Sequence, residues 1–172
     1  MTTVALAPSA TDQVAGAATS EDAIRAAVRA AAGLGIPGIF HPGLDEAGTS
    51  TIWLTMVTTI AKRQGANISA ATASKLVAAA IASVSAYGTA SRIMTWALLL
   101  ILHLLPSVAI PAAVALNVAL NALFTHRLGN ACSRHFSDPN FSLRDIMKIR
   151  QDLRMAPRLS EIGDLTRILA GP

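Results

Sequence analysis

The sequence predicts an all-α fold, a helical bundle built around a central apolar helical hairpin. Three observations carry that expectation. Apolar residues recur at three- and four-residue spacing through most of the chain, no segment alternates long enough to argue for a sheet, and Ile93 to Phe124 passes without a Lys, Arg, Asp or Glu. With 172 residues, the chain is long enough for one domain with a real core. Residues 1–18 are expected as a flexible tail and 19–172 as a single helical domain.

Met1 to Ala18 is rich in Ala, Thr, Ser and Gly without periodicity, hence the expected tail. It has neither the basic start nor the continuous apolar centre of a secretory signal. In "TSEDAIRAAVRAAAG", Thr19 or Ser20 caps a helix, Glu21 and Asp22 suit its positive end, and Gly33 suits its stop. "GLGIPGIFHPG", Gly33 to Gly43, reads as a loop because of its glycines and two prolines. It contains a literal GxGxxG at Gly33, Gly35 and Gly38, but that motif cradles phosphate only between a strand and a helix.

A second helix runs from Asp45 to Gln64, acidic at its start, basic at Lys62 and Arg63, and stopped by Gly65. A third starts at a Ser69 cap and extends to about Tyr87, with Ala78, Ala82 and Ala86 forming a ridge that admits a close neighbour. The uncharged stretch then divides at "PSVAIP" into two arms, Ile93–Leu105 and Ile110–Phe124, expected as an antiparallel hairpin. After Arg127 the chain turns polar, punctuated by Gly129 and Pro139. A basic amphipathic helix follows at about 142–154, opened by a Ser142-x-x-Asp145 box, and "SEIGDLTRILAG" forms a shorter last helix.

Composition bounds the function. The chain is 52% hydrophobic, 14% charged and 4% aromatic, with a formal charge of +4. Positive charge favours acidic partners, and the apolar excess suits anionic lipid. Nucleic-acid binders concentrate Lys, Arg and aromatics more densely, so no nucleic acid is expected as a partner. A single cysteine, Cys132, forms no internal disulfide and points to a reducing compartment.

The hairpin has two readings. Its first arm reaches only about 20 Å as a helix, short of a bilayer core of about 30 Å. Yet Arg92, Arg127 and Arg134 flank its two ends while its tip is uncharged, a distribution that places both ends on the cytoplasmic face and the tip in lipid. Helices that are apolar all round also fill the centres of soluble bundles and oligomers. Trp96, Leu99, Leu100, Leu104, Leu105, Val114 and Leu120 are its membrane or core residues under either reading.

His103, Asn117 and Asn121 are expected to make helix–helix polar contacts, with Thr125 continuing the asparagine row. Arg144, Lys148, Arg150 and Arg154 are the candidates for anionic headgroups or acidic partner surfaces. Cys132, His135 and His126 supply too few ligands for a structural zinc site, so neither metal nor cofactor is expected. His41 and Asp45 share a neighbourhood in sequence without an evident nucleophile, and no catalytic residue is assigned.

Two further stretches carry a resemblance. "IAKRQG", Ile60 to Gly65, the long helices after it, and "LFTHRLGNACSRHF", Leu123 to Phe136, resemble the GTPase-associated hydrophobic domain of bacterial YcjF-like inner-membrane proteins, over about Leu44 to Arg154. The resemblance implies a helical, membrane-associated domain of unknown reaction, working with a GTPase. The chain departs from fused members in having no GTPase half. Together these readings predict a non-enzymatic, self-associating protein on the cytoplasmic side of the inner membrane, peripheral or hairpin-inserted, with a separate GTPase as possible partner. The alternative is a cytoplasmic homo-oligomeric assembly module that buries its hairpin without stable insertion.

Overall fold

A computed structural model of the chain describes residues 9–38, 44–84, 106–138, 141–154 and 159–170. Among these residues the secondary structure is all helical. The helices are α1 (Ala10–Ala15), α2 (Ser20–Gly38), α3 (Leu44–Gln64), α4 (residues 70–84), α5 (Pro106–Phe136), α6 (Leu143–Arg154) and α7 (Leu159–Ala170). The arm 93–105, and with it the proposed hairpin, lies outside the described residues.

Local chemistry sets most of the boundaries. Ser9 and Asp12 form a capping box at α1: Ser9 Oγ accepts from Asp12 N, and the Asp12 carboxylate accepts from Ser9 N. Thr19 Oγ1 accepts from Asp22 N at 3.0 Å at the start of α2, and Ser69 Oγ accepts from Thr72 N at 3.1 Å at the start of α4. At the end of α3, Gly65 adopts φ +69°, which lets Ala66 N donate to the Ala61 carbonyl at 2.9 Å. Only glycine takes this left-handed cap without steric cost. Asp145 reaches back from the first turn of α6 to accept from Ser142 N at 2.8 Å.

Helix α2 is the centre of the assembly, packing against α1, α3, α5 and α7, while α5 also meets α3, α6 and α7. Met56, Ile60, Leu76, Leu128, Ile149 and Leu153 are among the largest fully buried side chains, so α3, α4, α5 and α6 all feed the core. Each such aliphatic contributes about 1.5–3 kcal/mol relative to an exposed side chain.

Three sequence expectations change here. Residues 10–15, read as part of a mobile tail, form a capped helix whose Val14 is fully buried in the core. Residues 33–38, read as a loop, continue α2, so the GxGxxG lies inside a helix and has no strand-to-helix turn with which to hold phosphate. Gly35 explains why this weak helical sequence stays helical: a Cβ there would sit 2.8 Å from the Val118 backbone. Its missing side chain lets α2 and α5 touch, and that packing outweighs the roughly 1 kcal/mol propensity cost of glycine.

The third change concerns α5. It begins at Pro106 and runs unbroken through Pro111 and Gly129 to Phe136, where the sequence suggested an arm ending near Phe124. Pro106 in the first position needs no N–H partner, and Pro111 removes only the donor that would meet carbonyl 107. Gly129 marks a crossing rather than a stop, since a Cβ there would lie 2.6 Å from Ile24 Cγ1 and 3.1 Å from Met56 Sδ.

Candidate membrane-facing surface and polar seam

Helix α6 separates its two faces cleanly. Ile146, Ile149 and Leu153 point into the core, and the turn of about 100° per residue places Arg144, Met147, Lys148, Gln151 and Arg154 on the opposite, exposed arc. Met147 is 54% exposed with cations on both sides of it. No acidic residue stands on that arc. Asp145 is buried at its margin, where it accepts from Ser142 and from Lys148 Nζ at 2.7 Å, and these partners hold its carboxyl down at about 2. Asp152 is tied to Arg134 of α5 at 2.9 Å.

The pairing divides the four basic candidates. Arg144 and Arg154 are exposed, whereas Lys148 is exposed but shares its charge with Asp145. Arg150 is half-buried, and its Nε is enclosed without a hydrogen-bond partner. Helical rotation puts it at the border between the Ile146 edge of the core and the Arg154 edge of the outward arc.

The apolar half of α5 presents a second surface. From Pro106 to Thr125 it bears no charge, and its charged residues all fall in its last third. Pro111, Ala115, Leu116 and Ala119 are exposed, Val114 is half-buried, and Leu120 is half-buried against the core. Trp96, Leu99, Leu100, His103, Leu104 and Leu105 lie outside the described residues, as does His41. No helix among the described residues is long and apolar enough to cross a membrane.

The row Asn117, Asn121 and Thr125 faces inward as a polar seam. Asn117 Nδ2 donates to the Gly35 carbonyl at 3.0 Å, linking α5 to α2 at their closest approach. Trp53 Nε1 of α3 donates to Thr125 Oγ1 at 2.8 Å, and that hydroxyl donates to the Asn121 carbonyl at 2.7 Å. Asn121 Nδ2 is buried and makes no such contact.

Past this row lies a polar clamp that holds α7 and that no local spacing in the sequence signals. Arg127 is 7% exposed and grips Glu161 with two bonds, Nε to Oε1 at 3.1 Å and a terminal nitrogen to Oε2 at 2.7 Å. Arg29 of α2 donates to the Ile168 carbonyl at 2.9 Å. Beside the clamp, buried His126 meets Asn130 through Nε2 at 3.1 Å. Burial lowers its pKa first and Arg127 adds to that, while Asp164 and Glu161 pull the other way.

Cys132 is fully buried, and burial pushes its thiol pKa up, so it is a packing residue in an apolar setting. Among the described residues no group of three His, Cys, Asp or Glu side chains is placed to hold a metal ion. No family model, curated protein or solved structure matches the chain.

Proposed function

We propose that this chain is a non-enzymatic helical protein that binds the cytoplasmic face of a bacterial inner membrane and self-associates there. The observation that carries the reading is the outward arc of α6, with exposed Met147 set among Arg144, Lys148 and Arg154, and with the neighbouring Asp145 carboxylate buried at its margin and paired to Lys148. An amphipathic helix with cations around an exposed apolar side chain lies in the headgroup region, charge outward and thioether toward the acyl boundary. Each cation near an anionic surface contributes about 1 kcal/mol. The exposed apolar residues of α5 supply further contact, and peripheral binding asks for no spanning helix. A separate GTPase as partner rests on the YcjF-like resemblance alone.

The second reading, a homo-oligomeric assembly module, draws on the exposed Pro111, Ala115, Leu116 and Ala119 of α5, where the two alanines admit a second helix and Leu116 offers it apolar surface. Sedimentation of the purified full chain with vesicles separates the two. Binding to vesicles rich in phosphatidylglycerol that weakens as salt rises, with little binding to phosphatidylcholine, supports membrane association. A discrete oligomer that ignores both vesicle types at low salt supports the assembly module and overturns the first reading.

A further inference from the structure

Helix α6 sets a thioether at the middle of its outward arc. Met147 is 54% exposed, the most exposed large apolar side chain among the described residues, whereas Met56 of α3 is fully buried in the core. Of these two sulfurs, solutes in water reach only the first.

The neighbours of Met147 decide what oxidation does to the arc. Arg144 precedes it by three residues and Gln151 follows it by four, so both lie beside it on the helix surface, and both are exposed. Each carries N–H donors, for which a thioether is only a weak acceptor. Lys148, the adjacent cation, is already shared with Asp145 at 2.7 Å. A sulfoxide at position 147 is polar and presents an oxygen acceptor. It removes apolar surface from the arc and draws Arg144 and Gln151 onto its own oxygen, so the guanidinium meets that oxygen in place of a headgroup.

We propose that Met147 is a reversible oxidation site through which hydrogen peroxide releases this chain from the membrane, an inference that rests on the membrane reading. The sulfur lone pair attacks one peroxide oxygen, an S–O bond forms as the O–O bond breaks, and the second oxygen takes the proton of the first and leaves as water. Sulfur loses two electrons and peroxide gains them. Binding and oxidation oppose each other: seating at the acyl boundary covers the sulfur, and the sulfoxide resists return to that boundary because its oxygen must leave water. Methionine sulfoxide reductases, drawing electrons from a dithiol, restore the thioether.

Sedimentation of the full chain with phosphatidylglycerol-rich vesicles, before and after limited hydrogen peroxide treatment and with peptide mass mapping of the oxygen gained, tests the site. Oxidation at residue 147 is expected to weaken wild-type binding about tenfold or more. Reductase restores that binding, and vesicles added beforehand slow the oxidation of residue 147. M147L keeps its binding through the same peroxide treatment, and M147Q, a neutral polar replacement that needs no oxidant, binds as weakly as the oxidised chain. Oxidised wild type or M147Q that binds as tightly as the untreated chain overturns the site, as does M147L that loses binding to peroxide to the same extent as wild type. A chain that ignores vesicles before any oxidation overturns the membrane reading itself, and this site with it.

Discussion

Trp53 and Thr125, far apart in sequence, share a buried hydrogen bond of 2.8 Å, and the Thr125 hydroxyl in turn donates to the Asn121 carbonyl. The indole of α3 is thereby fixed against the polar row of α5. T125V preserves the volume and leaves the Trp53 N–H buried without an acceptor. The expected loss is about 1–3 kcal/mol in denaturant unfolding, with a shift in tryptophan emission. T125S keeps the hydroxyl and is expected to retain most of the stability.

Gly35 and Gly33 are two residues apart in one helix and face opposite environments. A Cβ at position 35 meets the Val118 backbone, whereas at position 33 it meets nothing within 4 Å. G35A is expected to force α2 from α5 and lose about 1–3 kcal/mol. G33A is expected to be neutral or to gain up to about 1 kcal/mol through helix propensity. Thermal unfolding of the two variants side by side checks the contrast.

That contrast also explains what was legible in the sequence. Caps and periodicity fix α3, α4 and α6, because Gly65, Ser69 and Ser142 act through bonds to residues a few positions away. The helix through Gly33, Gly35 and Pro37 has the local composition of a loop, because its cause, the approach of Val118, lies in a distant part of the chain. Gly129 misled in the same way, its role being set by Ile24 and Met56. The Ser9–Asp12 box that caps α1 was present in the sequence, but Val14 alone gave too little periodicity to mark a buried helix. Of the candidate surface, the basic face of α6 was legible from spacing, yet the inward turn of Arg150 and the sharing of Lys148 with Asp145 required neighbours in space.

The Arg127–Glu161 pair governs how α7 docks. E161A leaves a buried guanidinium without this carboxylate, and the partial exposure of Glu161 keeps the expected loss to about 2 kcal/mol. Hydrogen exchange should accelerate in residues 159–170 before the rest of the molecule. Replacing both partners, R127M with E161M, is expected to recover part of that loss because no unpaired charge remains buried.

His126 adds a dependence on pH. Its folded pKa lies below the ordinary value because burial disfavors the charged ring. The unfolded chain therefore binds more protons as pH falls below about 6.5, so the stabilising contribution is complete above that value and lost as pH drops through the folded pKa. H126N is expected to flatten this part of the stability profile. Unfolding titrations between about pH 7.5 and 5, above the ordinary carboxylate range, measure the effect as the difference between the wild-type chain and H126N, which cancels the other three histidines.

The membrane reading is tested most directly by the position of residue 147 relative to lipid. An environment-sensitive fluorophore on M147C reports it, with N67C, exposed outside α6, as the control and buried Cys132 shielded from the label. The account predicts a blue shift at position 147 and quenching by brominated acyl chains on anionic vesicles, both lost with R144Q/R154Q as binding weakens about 30-fold. Unchanged emission at position 147, with vesicles in excess at low salt, would contradict it.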